Sequence, residues 1–317
     1  MSIIIEKAGM LDTIQDAGRT GLSHWGINTN GPMDSFAMAL ANALLGNELN
    51  APVIEMHFPA PIIRFTAPAY IALAGADFSA MLNDTPIESN RAYQVAAGSV
   101  LRFAQKKMGE RIYLSARHGW QVPLVLGSYA TNLKSGFGGM EGRALQKDDT
   151  IFFEEHLPPF SSTQKMSWYF PALVEKGNTL RIVKGPEWEW LSNDAQTCFL
   201  KNSFEISRKA DRMGLHWIGQ TLGLQEERSL LSAPVVMGTT QLLPSGQMLT
   251  LMADHQTVGG YPRVIQICKV DLSILAQATP GTKFTFSIIE ASEAIALYNA
   301  QQETLLQIKE AVKVRIN

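Results

Sequence analysis

Cysteine and charge are both scarce in this chain. Two cysteines, Cys198 and Cys268, make neither a disulfide framework nor a four-ligand zinc site, so a reducing cytoplasm is the expected compartment. Charged residues are 18% of the chain, with 27 Lys and Arg against 29 Asp and Glu. The net charge of −2 gives no electrostatic footprint for nucleic acid or an anionic membrane. Long apolar runs are missing too. Met1–Lys7 lacks the basic start and the apolar length of a signal peptide. The longest uncharged stretch, Ser229–Ala253, is broken by Pro234, Gly238, Pro244 and Gly246 and reads as strands and turns rather than a membrane span.

Familiar catalytic signatures are also missing. There is no G-x-x-x-x-G-K-[ST] phosphate loop, no H-E-x-x-H and no G-x-S-x-G elbow. His24, His57, His118, His156, His216 and His255 are scattered without an i, i+4 pair, so no metal is expected. The Gly136–Arg143 stretch is glycine-rich but lacks the lysine of a phosphate loop; it reads as a turn, with a backbone nest as the functional alternative. Cys198 and Cys268 sit in apolar contexts that suit packing better than nucleophilic chemistry.

What the chain has is length and apolar mass: 317 residues, 46% apolar, enough for two medium domains. Three segments recur in order. Arg19–Gly26 resembles Arg212–Gly219, Ala51–Ile54 resembles Ala233–Val236, and Gln94–Phe103 resembles Gln277–Phe286. The pattern predicts a duplicated globular domain, with units over residues 1–178 and 179–317. Residues 106–178 have no counterpart and read as an insertion or elaboration of the first copy. Ser161–Thr163 and Glu175–Asn178 mark the expected connection. The repeated Trp25 and Trp217 are expected to pack.

Short alternating runs predict a mainly β fold, as in barrels or sandwiches. They include Ile3–Glu6, Ile62–Phe65, Ile71–Ala74, Val100–Phe103, Arg111–Ser115, Leu180–Val183, Met248–Met252, Val264–Ile267 and Phe284–Ile289. Helices are few. One starts at the Asp34 cap and ends at Gly46-Asn47, a short one follows Asp271, and one begins near Ser292.

Three polar clusters stand where strands give way to loops. Gln15, Asp16 and Arg19 surround Gly18; an amide and a guanidinium fork there suit a small amide or carboxylate ligand, and an Asp–Arg brace of the turn suits the same residues. In Arg208–Gly214, three cations surround Asp211, which fits an anion site or a solvated turn. Asp254, His255, Gln256 and Thr257 follow an apolar strand and precede Gly259-Gly260-Tyr261-Pro262, an arrangement suited to a pocket lip or to a loop closing a hairpin.

The ordered motifs Gln15-Asp16-x-Gly18-Arg19, Gly31-x-Met33-Asp34, Ala41-Asn42-x-Leu44-x-Gly46-Asn47, Gly127-Ser128, Gly142-Arg143-x-Leu145, Asp211-Arg212-Met213-Gly214, Asp254-x-Gln256-Thr257-x-Gly259-Gly260-Tyr261-Pro262 and Ala276-Gln277-x-x-Pro280-Gly281 resemble the biotin-dependent carboxyltransferase family, also called the allophanate hydrolase subunit 2 family. The resemblance covers almost the whole chain. It implies two tandem cyclophilin-like β-barrel subdomains. It also implies a place in a multi-component 5-oxoprolinase, in which ATP, with Mg²⁺ in the complex, drives opening of 5-oxoproline to glutamate. The implied partners are the B component of that enzyme, which is allophanate hydrolase subunit 1-like, and its A component; no cofactor bound by this chain alone is evident. Other members imply two alternatives: a carboxyltransferase component acting on urea or a similar amide with biotin, and a binding protein that antagonises a kinase inhibitor.

A lactam is a poor electrophile until its oxygen is phosphorylated, which calls for cations at phosphate and donors at the ring amide. On the matching positions this assigns catalytic roles to Asp254, Asp16 and Arg212, with Asp254 as a candidate base. Binding roles fall to Gln15, Arg19, Ser128, Arg143, Gln256, Thr257, Gly259, Gly260 and Tyr261. Three departures from the family pattern bear on the substrate. Tyr129-Ala130-Thr131 stands where Arg-Ser-Thr is usual, Arg117-His118 where small residues are usual, and Val258 where a second threonine is common.

Overall fold

The computed structural model describes residues 1–155, 163–171, 178–226 and 228–316. The chain divides into two compact units. The first comprises Met1–Arg19, Asn30–Leu173 and Gln302–Asn317, and the second Thr20–Thr29 and Val174–Gln301. The units are therefore not the contiguous spans 1–178 and 179–317: ten residues of the first half and most of the last helix change sides. Of the expected connection, Ser161-Ser162 and Glu175–Gly177 lie outside the described residues, as does His156.

The first unit has a seven-stranded sheet and a six-stranded sheet. The seven run Trp120–Gln121, Thr150–Phe153, Ser2–Lys7, Ile62–Phe65, Val100–Phe103, Ala80–Leu82 and Thr85–Pro86. The six run Gln164–Tyr169, Arg91–Val95, Ala69–Asp77, Met108–Ala116, Val53–His57 and Thr13–Gln15. Ile3, Ile5, Ile63 and Phe65 of one sheet and Ile54, Ile71, Leu73 and Leu114 of the other bury into a shared core. Strand periodicity sends the alternate residues Ala72, Ala74, Ala92 and Tyr113 to the opposite face, against a second core with the helix Ser35–Ala43. The alanines let that helix lie close to the sheet. Asp34 caps it, accepting from the amide of Ala37 at 2.9 Å, as the sequence indicates. Leu305, from the last helix, joins this second core.

Residues 106–178 are not an appendage. They supply the strand Met108–Ala116, paired on both sides within the six-stranded sheet, and the strand Thr150–Phe153 beside Ser2–Lys7. The lack of a sequence counterpart suggests an insertion, but sequence similarity does not report pairing.

The second unit is a closed seven-stranded barrel: Thr179–Lys184, Arg263–Ile267, Thr239–Leu242, Met248–Leu251, Gly214–Ile218, Phe204–Ile206 and Lys283–Ile288. The last strand returns to the first by a parallel pairing, Thr179 to Thr285 through Ile182 to Ile288. Aromatic rings dominate its packing. Phe199 stacks on Phe286 at 4.6 Å, and Trp217 meets Phe286 edge-on at 5.3 Å. The Trp217 indole N–H donates to Thr250 Oγ1 at 2.8 Å, so its one polar atom is satisfied. Helix Asn193–Lys201, capped by Ser192, carries only Ala195 and Phe199 as buried residues, which is why its period is faint in sequence.

The repeat is real in part. The Phe65 amide donates to the Ser99 carbonyl, and the Phe65 carbonyl accepts from the amide of left-handed Gly98. Ile206 does the same with Thr282 and left-handed Gly281. Those are the turns of the Gln94–Phe103 and Gln277–Phe286 match. The Arg19–Gly26 and Arg212–Gly219 match is not shared. Ser23–Trp25 is a 3-10 turn with Trp25 68% exposed, whereas Gly214–Ile218 is a strand with Trp217 buried. The packing expected of Trp25 is therefore corrected. Among the described residues, no helix is long and apolar enough to cross a membrane. Cys268 is buried, its thiol pushed up to about 11 by desolvation, in keeping with packing.

Asp12 is an exception to the apolar interior. It is 1% exposed, its Oδ2 accepts from the amide of Gly9 at 2.7 Å, and its Oδ1 has no hydrogen-bond partner. Desolvation raises its pKa from 3.8 to about 7. The folded state therefore favours the protonated acid. This contribution is full below pH 3.8 and is lost as pH rises through about 7. Its scale is on the order of 4 kcal/mol, an upper figure for the two pKa values. Asp12→Asn should gain stability over the wild type progressively between pH 4 and 7 and hold that gain above, as read by urea unfolding. A difference that does not change with pH would contradict the assignment.

Candidate functional site

In the first unit the motif residues form a buried polar brace. Asp16 follows the short strand Thr13–Gln15. Its Oδ1 accepts from Ser128 Oγ at 2.5 Å and from the Gly18 amide at 2.9 Å, and its Oδ2 accepts from the Tyr129 amide at 2.7 Å. Arg19 does not pair with Asp16 as the simple turn brace would require. Its guanidinium donates to the carbonyls of Val125 and Ala130 and to Asn30 Oδ1, and it lies 4.7 Å from the centre of the Phe137 ring. Gln15 Nε2 donates to Thr13 Oγ1 at 3.0 Å, while its Oε1 is buried without a partner. Thr131, not among the expected site residues, holds the Ile14 carbonyl through both its amide and its hydroxyl.

Gln15, Asp16, Arg19 and Ser128 are thus brought together, and all are buried. Arg143 stands apart from that brace. It forms a bidentate pair with Asp149 at 2.7 and 2.9 Å, and this pairing raises its pKa. Asp149 is correspondingly lowered by the same guanidinium, despite opposing desolvation.

The glycine-rich loop has a packing explanation. A Cβ on Gly138 would lie 2.1 Å from the Ala130 carbonyl oxygen and 2.3 Å from Arg19 Nη2, and one on Gly139 would lie 2.0 Å from Thr131 Oγ1. Both have positive φ. At these two positions glycine is required because the loop folds tightly over Arg19 and Thr131.

Two further networks account for motifs that the sequence left without a role. Glu55 Oε2 accepts from the Met33 amide and from the Tyr113 hydroxyl, and the Tyr113 oxygen accepts from the Asp34 amide. Burial and the nearby Glu55 push the Tyr113 phenol well up. Asn42 Oδ1 accepts from Ser115 Oγ at 2.6 Å, and Asn47 ties Ser115, the Ala116 carbonyl and the His118 amide. At the departure from family pattern, Arg117 Nε meets His118 Nε2 at 3.1 Å, and His118 Nδ1 faces Glu155 at 3.3 Å.

The second unit carries a different constellation. Arg212 precedes the strand Gly214–Ile218, and Asp254 follows the neighbouring strand Met248–Leu251. The antiparallel pairing carries on past the strands, since the Asp254 amide donates to the Arg212 carbonyl at 2.8 Å. That register sets the side chains face to face. Arg212 Nε and Nη2 donate to Asp254 Oδ2 and Oδ1 at 2.7 and 3.2 Å. The arginine is 8% exposed and the carboxylate side chain 13%, so the pair is sheltered but not sealed. Asn28, from the Thr20–Thr29 segment, donates to the Asp254 carbonyl at 3.2 Å.

Gln256 Nε2 lies 3.5 Å from Gln241 Oε1, and Gln241 Nε2 donates to the Tyr261 carbonyl at 3.3 Å. A Cβ on Gly259 would strike Gln241 Nε2 at 2.4 Å, so this glycine makes room for a buried amide. Val258–Gly259 pairs with Ala233–Pro234, and the Thr257 carbonyl accepts from the Val235 amide. Gly260 and Tyr261 are exposed beside it. His255 is 5% exposed, and desolvation lowers its pKa. Gln241 and Asn28 were not among the expected site residues, and His255 was named in the polar cluster without a role of its own. Gln241 gives no local signal, because it is one amide in an uncharged strand. Among the described residues, no group of three or more His, Cys, Asp or Glu side chains could hold a metal ion.

The barrel thus carries an ion pair and two glutamines beside a glycine turn. The chain matches the model of the carboxyltransferase domain, subdomains A and B, over residues 25–288, and it belongs to that family. It is 34% identical to the C component of 5-oxoprolinase from Haemophilus influenzae over 301 residues, covering 95% of each chain. The corresponding Escherichia coli protein is 34% identical over 306 residues, covering 96% of each. The K. lactis urea amidolyase shares the fold, with a TM-score of 0.88 at 24% identity over 97% of this chain; the match spans 20% of that longer protein.

Asp254→Asn keeps an acceptor for Arg212 but removes the charge that balances it. We expect a folded protein with a lower Tm, because a sheltered guanidinium loses its counter-ion, and turnover in the assembled enzyme at least about a hundredfold down. An unaltered rate would remove Asp254 from the site.

Proposed function

We propose that this chain is the C-type component of an ATP-dependent 5-oxoprolinase, acting with A- and B-type components to open 5-oxoproline to glutamate. The supporting observation is end-to-end similarity: the two bacterial proteins named for that enzyme are matched over nearly their whole length. The ion pair and the glutamines of the second unit suit such a substrate. 5-oxoproline carries one amide N–H, one carbonyl and a carboxylate, and the half-buried Gln256 amide has donor and acceptor atoms to meet them, held in place by the fully buried Gln241. Arg212, held by Asp254, supplies a fixed positive edge for a carboxylate or a developing oxyanion. In the first unit, Asp16, Ser128 and Arg19 spend their hydrogen bonds on the fold, so their contribution in this reading is to hold loop 125–139 in place.

The reaction consumes ATP as a co-substrate. Partners of the A and B type, a cytoplasmic setting and activity only in the complex belong to the same proposal.

A second reading has its own support. The family model is that of a carboxyltransferase, and the fold recurs within a urea amidolyase. The site would then place a urea-like amide for carboxylation, with biotin and its carboxylase supplied by other chains. The alternative of a binding protein that relieves a kinase inhibitor would use the chain without turnover.

Reconstitution separates the readings. The chain purified with A- and B-type components from the same genome should release ADP and glutamate from 5-oxoproline only when all three are present. Biotin-dependent turnover of urea instead would favour the second reading, and complex formation without turnover of any amide would favour the binding role.

A further inference from the structure

Asp254 is the obvious proton acceptor by sequence, yet its two carboxylate oxygens are engaged by Arg212 at 2.7 and 3.2 Å. An aspartate held in a bidentate pair orients a guanidinium; it is poorly placed to collect a proton as well. The next residue is arranged differently. His255 Nδ1 lies 2.5 Å from the Gln256 carbonyl oxygen. A carbonyl only accepts, so the proton of the neutral ring resides on Nδ1 and the Nε2 lone pair is free to take another. Among the described residues Nε2 has no hydrogen-bond partner, and it is not one of the fully buried unpartnered atoms, so it keeps contact with solvent.

The backbone around it is fixed. The Asp254 amide donates to the Arg212 carbonyl, the His255 amide to the Met252 carbonyl, and Asn28 holds the Asp254 carbonyl. The charged group that acts on the ring is Asp254, which opposes the downward push of burial and is itself held by Arg212.

We propose that His255, through Nε2, is the proton acceptor of this site, and that Asp254 and Arg212 are its positioning pair. The inference rests on the reading that an amide is the substrate. As an electrophile adds to the amide, the N–H bond breaks and the proton passes to His255 Nε2. The bonding pair stays on nitrogen and spreads to the carbonyl oxygen. In lactam activation the γ-phosphoryl group of ATP bonds to that oxygen as its bond to the β-phosphate oxygen breaks and ADP leaves; in carboxylation the carboxyl group of carboxybiotin bonds to that nitrogen as its bond to the biotin nitrogen breaks and biotin leaves, the donors being brought by the other components. The same proton leaves in both, so the base is common to both readings. Burial favours the neutral, proton-accepting ring near pH 7, because desolvation lowers its pKa.

The test uses His255→Asn, whose side-chain NH₂ can replace the Nδ1 donor while the Nε2 acceptor is lost. In the reconstituted complex, kcat should fall on the order of a hundredfold or more, with KM within about threefold. The acid limb of the kcat–pH profile should vanish, and imidazole should partly rescue a His255→Ala variant. Retention of the acid limb, or kcat within about threefold of wild type, overturns the proposal. A direct readout does not depend on knowing the substrate. Diethylpyrocarbonate acylates an open, neutral imidazole nitrogen, and peptide mass mapping of the folded wild type should find His255 modified. An unmodified His255 overturns the proposal whether or not 5-oxoproline is turned over. Modification of His255 in a complex that turns over neither 5-oxoproline nor urea supports the base and defeats the substrate reading alone.

Discussion

The register between the ends of two neighbouring barrel strands governs the second unit's chemistry. Because the Asp254 amide pairs with the Arg212 carbonyl, a guanidinium and a carboxylate arrive opposite one another at the edge of an aromatic-packed barrel. A one-residue slip would turn both side chains to the other face. Removing one partner would strand a sheltered charge, so each residue enforces the other. The barrel supplies the rigidity: strand Lys283–Ile288 closes onto Thr179–Lys184, and Phe204, Phe286 and Trp217 of its strands pack with Phe199 of the helix Asn193–Lys201.

The first unit uses the same kinds of residue for a different end. Asp16 draws on a hydroxyl and two backbone amides, and Arg19 on two backbone carbonyls and an amide oxygen. Each thereby fastens one stretch of chain to another more than a hundred residues away. Fully bonded polar groups of this sort specify one loop conformation, where an apolar contact would tolerate several. Gly138 and Gly139 complete the arrangement by giving up side chains that the packed loop cannot accommodate. Tyr129 touches Asp16 through its backbone amide alone among the bonds that carboxylate accepts. The side chain at that position is free to differ from the family's arginine without loosening the brace.

Much of the fold could be read from residue order. The strands Ile62–Phe65 and Val100–Phe103 and the Asp34-capped helix are legible because each is a local pattern with punctuation at its ends. The three-residue strand Thr13–Gln15 is not, being too short to show a period, nor is the helix Asn193–Lys201, which buries only Ala195 and Phe199. The Arg19–Gly26 likeness misled for a related reason: similar residues were placed in a turn in one case and a strand in the other. For the site, Asp254 and Arg212 were legible as residues but not as a pair, because the two stand more than forty residues apart and meet only through the pairing of their strands. Glu55, Gln241 and Asn28 gave no sign at all. Their roles exist only once distant strands and loops bring an amide or a hydroxyl within reach.

The segment Thr20–Thr29 is encoded in the first half of the gene but belongs to the second compact unit. A fragment beginning at residue 179 would therefore fold, if at all, without the amide that Asn28 offers to the Asp254 carbonyl. Any dissection of the protein into halves must carry those ten residues across the cut, by circular permutation or by an added peptide. The duplication visible along the chain is thus not a licence to separate its copies.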